Sequence, residues 1–421
     1  MNHLLSTSTF TLALVAGTAA MAQTELSMWY HGAGSSNAQE AEILAGIVED
    51  FNASQGDWKV VVESFPQINY NDSIVAAALA GNLPDIVDVD GPNMPNWAWA
   101  GYLQPLPIDP AKVENFLPGV LGTWNDQLYS VGLWDAAVAM TTRASTLEKY
   151  GIRTPTLEEP WTREELDAAL MTIKDSGDFA YPMDIGMADK GEWYPYAFGP
   201  FLWSFGGDMI DRETYASAEG VLNGDAALEF GEWWQSLFEN ELVPGTSQDM
   251  ADHDNGFQNG QYAITWNGNW KALPYLEAYD DVIFLPAPDF GQGPKIGAAS
   301  WQFAISAGTQ HPEGAAAFIE FAIQDKYLAA FSDAIGLIPP TPEAAAMSKY
   351  YSEGAPMEVF YRLSEAQGMK RPVTPGYVVE ALAFRKALTD IADGADVADA
   401  LDTAVDEIDG DIERNQGYGH Q

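Results

Sequence analysis

Short apolar runs alternate along this chain with stretches whose apolar residues recur every three or four positions. The run Glu25 to Tyr30 reads as a strand and is followed by a small polar loop, His31 to Asn37. Ile43, Leu44, Ile47 and Phe51 then share one helical face. Lys59 to Glu63 is a second strand, and Ser73 to Ala80 an alanine-rich helix stopped by Gly81 and Pro84. Ile86-Val87-Asp88-Val89 is a buried-type strand that ends in the loop Asp90-Gly91-Pro92. Such alternation predicts a parallel sheet covered by helices on both faces. Ligands of such sheets sit beyond the carboxyl ends of the strands, where His31, Asp88 and Asp90 fall.

The pattern changes over roughly 155–290, which is rich in Trp, Tyr, Gly and Pro. Trp193-Tyr194-Pro195-Tyr196 and Trp203-Ser204-Phe205-Gly206-Gly207-Asp208 are its densest stretches. A helix is predicted over Thr162–Ile173, with Thr162 as N-cap and Glu165 at capping-box spacing. Near the end of the chain Val397, Leu401, Val405 and Ile408 form one apolar stripe, and acids fill the opposite face as a solvated surface. No repeat of 20–50 residues is visible.

Composition narrows the function classes. The 421 residues carry 61 Asp+Glu against 19 Lys+Arg, a formal net charge of 19 − 61 = −42, yet 47% are hydrophobic. A chain so apolar folds despite its charge, and at this length it is expected to form more than one core. The charge disfavours nucleic acid and anionic membranes, which need clustered Lys/Arg. Zero cysteines exclude disulfides, thiol catalysis and Cys-based metal sites. Residues 1–22 read as a cleavable signal peptide, with an apolar run ending in Ala20-Met21-Ala22. A lipid anchor would need a Cys at the cleavage point, so an exported and unanchored product is expected.

Catalytic and metal motifs fail on inspection. Loops centred on Gly91 and Gly256 lack the first and last acids of a calcium-binding EF-hand. No H-E-x-x-H or G-x-S-x-G occurs, and Gly291-Gln292-Gly293-Pro294 is no phosphate loop. A carboxylate pair for glycoside hydrolysis stays open, because 61 acids offer too many pairs to discriminate. What recurs is aromatic residues among hydrogen-bonding ones at strand ends: Trp134-Asp135, Trp266-Asn267-Gly268-Asn269-Trp270 and Ser300-Trp301-Gln302. A sugar ring has an apolar face and a rim of hydroxyls, and such groups suit both. For any single Trp core packing is the favoured reading, and only the recurrence at strand ends favours a site.

Several segments together resemble the extracellular solute-binding proteins of carbohydrate ABC transporters, family 1, the group of the maltose- and trehalose-binding proteins. Gly81-Asn82-Leu83-Pro84-Asp85-Ile86 resembles the G-x-x-P-D-[IV] strand entry of that family, and Gly101 to Leu106 its G-x-L-x-P-L element. Phe257 to Ile264, with Gly268 and Trp270, is similar to its F-x-n-G signature followed by G-x-W. His311-Pro312-Glu313, with Ala315 to Phe321, is similar to its "hPe" helix. The resemblance runs from about 24 to 415. It departs at Asp135 to Arg143, where a Tyr-Asn pair and a Lys are common.

The resemblance implies an α/β fold: a two-lobe periplasmic binding protein fold (type II), each lobe a mixed, mostly parallel sheet flanked by helices, joined by a hinge of crossing segments. It implies residues 23–135 and 299–337 in one lobe, and 136–298 and 338–421 in the other. It implies no cofactor, no bound catalytic metal, a monomer in the periplasm, a carbohydrate or polyol as ligand, and ABC permease subunits as partners. Stacking is expected from Trp266 and Trp301, and also from Trp193, Trp203 and Trp134. Asp90, Asp135 and Asn267 are expected to accept from hydroxyls, with Gln302 and His31 as adaptable partners. Arg371 either reaches the cleft or lies on the surface, and Gly206-Gly207 either approaches a ligand or forms a simple turn. Two other readings stay open: a secreted glycan-acting hydrolase, and a binding protein for an anionic sugar derivative such as a glycerol phosphate or a sulfonated sugar.

Overall fold

The structure, a computed structural model, describes residues 23–33, 38–189, 191–298 and 301–419. The expected signal segment lies outside these residues. Two sheets organise the chain. The first contains β1 (Thr24–Ala33), β2 (Trp58–Pro66), β3 (Ile86–Asp90), β4 (Leu103–Gln104), β5 (Leu121–Trp124), β6 (Gln127–Val131) and β12 (Trp301–Ser306), in the order β2-β1-β3-β12-β6-β5 with β4 also on β12. The second contains β7 (Val138–Arg143), β8 (Tyr181–Asp184), β9 (Tyr262–Gly268) and β10 (Val282–Leu285), in the order β10-β7-β9-β8. A two-stranded piece pairs β11 (Ile296–Gly297) with β13 (Gly368–Met369).

Both large sheets are mixed, and antiparallel pairs outnumber parallel ones. This corrects the mostly parallel sheets expected. Among the described residues only the opening β-α-β-α-β run makes parallel neighbours in the first sheet, because crossover helices α1 (Ala38–Ser54) and α2 (Gln67–Ala80) bring the chain back to start each strand from the same end, β2 on one side of β1 and β3 on the other. β12 arrives instead from the second sheet's side and runs antiparallel to β3, β4 and β6.

The amphipathic patterns become buried faces. Leu44, Ile47 and Phe51 of α1 are buried, and Val397, Leu401, Val405 and Ile408 line the inner side of the helix Val397–Arg414. Thr162 and Glu165 close a capping box on the helix Arg163–Ser176. Gly81 ends α2 in the left-handed region at φ 70°, where a side chain would be strained.

Between the sheets the chain passes through laced segments. Asp135 and Ile338 exchange backbone bonds (2.8 and 3.0 Å), and Ala137 bridges to Ala298. Asn269 accepts from Ala137 N at 3.0 Å and donates to Gly336 O at 2.9 Å and Tyr351 Oη at 3.1 Å. One side chain thereby ties several passages together.

The helix Tyr377–Ala392 carries an unusual burden. Glu380 is 1% exposed and neither carboxyl oxygen has a partner. Burial pushes its pKa up to about 8, with Asp208 and Asp411 adding to the shift and Arg212 opposing it. The folded chain holds this proton while an unfolded one releases it near the ordinary value of 4.5. Its contribution is therefore full below that value and is lost progressively as pH rises towards 8. Glu380→Gln is expected to stabilise the protein by on the order of 2–4 kcal/mol at pH 8 and to change little at pH 4.5. Thermal unfolding across that range checks it, and a gain independent of pH would contradict it.

Candidate ligand-binding cleft

The carboxyl end of β3 delivers Asp90, and antiparallel register sets Trp301 of β12 directly opposite it. Gln302 points to the other face, accepting from Ser130 Oγ (2.5 Å) and donating to Gly119 O (3.2 Å). From the other side comes Arg371, two residues beyond β13 and held extended by the following Pro372. Its Nη1 donates to Glu192 Oε2 at 2.8 Å, and its Nη2 lies 3.7 Å from Asp90 Oδ1. The Tyr377 hydroxyl donates to the same Glu192 oxygen at 2.5 Å. The guanidinium sits 5.2 Å from the centre of the Tyr196 ring.

Of these groups Gln302 and Arg371 line a concavity of about 350 Å³, counting its open mouth. Its walls include Gly91, Met94, Gly122, Gln302, Lys370 and Arg371. Lys370 Nζ donates to Leu121 O at 2.6 Å, which brings the segment after β13 against β5. Burial pushes the Asp90 carboxyl up to about 6; Arg371 opposes that shift and Glu192 adds to it. Arg371 Nε and Tyr196 Oη are buried without partners, two polar groups available to a guest.

Aromatic surface continues from Tyr196. Trp270 is 37% exposed and its ring lies over Gly268, where an added Cβ would sit 2.2 Å from the indole. Tyr196 lies 6.2 Å from it at 29° and Trp193 6.1 Å at 78°. Tyr196 belongs to a π-helical turn, Tyr194–Phe198, and Gly297 lets that turn approach β11: a Cβ there would meet Tyr196 O at 2.1 Å. Trp301 is half-buried, with one face stacked on the His31 ring at 3.9 Å and 10°.

The structure brings Asp90, Trp301, Gln302 and Arg371 together, with His31 behind Trp301 and Trp193 behind Trp270. The other expected residues lie elsewhere. Trp134 is buried against Phe331 in the first lobe's core, and Asp135 is wholly buried in the crossing segment, where Ser364 Oγ donates to it. Trp203 donates to Asp208 at 2.5 Å under Arg212. Gly206 caps a helix at φ 102°, and a Cβ on Gly207 would meet Leu202 at 2.4 Å. Trp266 is fully buried, donates to Ala197 O at 3.0 Å and packs on Phe201. Asn267 donates to Tyr275 Oη at 3.2 Å in the same core. All seven residues of β9 are buried, so alternation carries no signal that separates core from cleft. Glu192, Tyr196, Trp270, Lys370 and Tyr377 are the additions. The one sequence hint was Gly268, small enough to let Trp270 fold back over the strand end.

A family model described as bacterial extracellular solute-binding protein matches residues 46–358. The chain belongs to that family. Among relatives of this solute-binding protein, an uncharacterized lipoprotein in the oleD 5′ region of Streptomyces antibioticus is 22% identical over 311 residues, 71% of this chain and 67% of that one. A mannitol-binding protein of Pseudomonas aeruginosa is 25% identical over 275 residues, 62% of this chain and 61% of that one. The fold is that of the solved two-lobe binding proteins. A cyclic α-maltosyl-1,6-maltose binding protein from Arthrobacter globiformis superposes with TM-score 0.78 at 22% identity, covering 93% of this chain and all of that one. A maltose/maltodextrin-binding domain from Bdellovibrio bacteriovorus, bound to maltotriose, gives 0.72 at 17% identity, covering 93% and 100%.

Core and cleft tryptophans of the solute-binding protein are separable by stability. Trp266→Ala is expected to cost about 3–5 kcal/mol in ligand-free unfolding, as for a buried large side chain. Trp270→Ala is expected to cost about 1 kcal/mol or less. Denaturant titrations of both variants decide this, and equal losses would contradict the assignment.

Proposed function

We propose that this protein captures a sugar, an oligosaccharide or a polyol between its lobes and delivers it to the permease of an ABC importer. One observation carries the reading. Asp90 from one side and Arg371 and Glu192 from the other converge beside exposed indole surface, with buried polar groups left unpartnered. A vicinal diol donates to a carboxylate and accepts from a guanidinium, so alternating charges serve a neutral polyhydroxylated guest. The family membership and the mannitol-binding relative support the same class. We take residues 23–135 with 299–337 as one lobe and 136–298 with 338–421 as the other, since Leu337 packs in the first core and Ile338 in the second. A periplasmic monomer that binds without turnover follows from this reading.

Lys370 and Arg371 on the concavity wall favour a second reading, an anionic sugar derivative. A thermal-shift panel of hexoses, maltodextrins, hexitols and their phosphates or sulfonates distinguishes the two. The expected result is a rise in Tm with a neutral member and no product formed. A rise confined to anionic members would establish the second reading, and no rise with any member would overturn both. With the best neutral ligand, Trp270→Ala is expected to weaken binding about tenfold or more, roughly 1.4 kcal/mol, by calorimetry. Unchanged affinity would remove Trp270 from the site.

A further inference from the structure

His31 offers no free edge to a ligand. It is 2% exposed, and both ring nitrogens face carboxylates: Nδ1 contacts Asp88 Oδ2, and Nε2 lies 3.3 Å from Glu40 Oε1. Asp88 lies in the buried part of β3, and Glu40 comes from the first turn of α1. The Tyr30 hydroxyl donates to the same Glu40 oxygen. Tyr70 of α2 turns its ring edge to the imidazole at 6.5 Å, accepts from Asp88 N and donates to Trp29 O. Asp90, beyond Asp88, is the remaining nearby charge. A carboxylate beside each ring nitrogen favours the imidazolium, which carries a donor on both.

We propose that His31 is a positioning residue, an imidazolium pinned by Asp88 and Glu40 that holds Trp301 flat and fixes it as the cleft's stacking platform. The proposal rests on the carbohydrate or polyol reading of that cleft. Stacked cation and indole attract through the ring quadrupole, and the pair is buried on its inner side. Because the platform is set before the ligand arrives, little side-chain freedom is lost on binding. Burial works to lower the imidazole pKa, and Asp88 and Glu40 more than offset it, so the net shift is upward. The clamp is therefore intact below the ordinary value of 6.5 and is released as pH rises through the higher folded value.

The test follows Trp301 emission and ligand affinity together between pH 5 and 9. Emission of Trp301 is the difference between the wild type and Trp301→Phe, and protonated imidazole quenches a stacked indole. The ligand probe is whichever of mannitol, glucose or maltotriose raises Tm most. As pH rises, emission is expected to increase and affinity to fall about threefold or more, with one midpoint. Glu40→Gln keeps an acceptor for Tyr30 but removes a charge. It is expected to move both midpoints down by at least half a pH unit, with affinity at pH 5 within about twofold of wild type. Asp90 titrates in the same range but does not touch Glu40, so its effect stays in place in that variant. Flat emission, or a midpoint that Glu40→Gln leaves unmoved, overturns the proposal. If none of the three probes binds, the cleft reading fails separately, and the emission titration still decides the His31–Trp301 clamp.

Discussion

Among the described residues Arg371 is the only buried Lys or Arg, in a chain with 19 cations against 61 acids. A buried guanidinium has to be paired, and its partners come from both sides of the cleft: Asp90 at the end of β3, and Glu192 just before the π-helical turn. That requirement fixes the geometry of everything nearby. Pairing across a cleft is also weakly worth its desolvation, since separating the lobes returns the charges to water. On the proposed reading, ligand hydroxyls share the same charges at little net expense. The contact holds the two halves in register without locking them.

The crossing segments serve the opposite purpose. Asp135, Ala137 and Ile338 are bound to neighbouring passages through backbone groups, and Asn269 joins Ala137 to Gly336 and Tyr351. Such lacing would confine bending between the sheets to these few passages, the arrangement that hinge closure around a ligand requires. Asp135 looked like a ligand acceptor because it follows Trp134 at a strand end. Its carboxylate instead accepts from its own neighbour's amide and from Ser364, which is a hinge's use of an acid.

The elements were largely legible because helical and strand periods survive burial on one face. The stripe Val397, Leu401, Val405 and Ile408 and the Thr162 capping box came through with their expected partners. The candidate cleft was legible only in part. Asp90, Trp301, Gln302 and Arg371 sit where a strand end or a pre-proline segment must leave a sheet, and position in the topology reveals them. Trp266 and Trp270 are four residues apart in one aromatic run, and nothing in the period separates them. Their difference is made by long-range partners: Ala197 and Phe201 enclose the first, while Gly268 and Tyr196 leave one side of the second open. Glu192 and Tyr196 were obscured by the π-helical turn, which shifts side chains off the ordinary helical spacing.

Aromatic abundance in this chain is mainly a packing device. Phe201, Phe205, Trp233, Trp266 and Phe290 interlock in the second lobe, with Phe205 and Phe290 stacked at 4.6 Å and 16°. Such a core is close-packed, with its rings interdigitated. The rings beside the candidate cleft each have a backing group: Gly268 and Tyr196 behind Trp270, His31 behind Trp301. A ring backed in this way loses little freedom when a guest covers its outer face, so its apolar contact converts more fully into affinity. An unbacked surface tryptophan of equal area would surrender part of that gain to ordering. On the proposed reading of the cleft, the residue that supports the ring is therefore as much a determinant of binding as the ring itself.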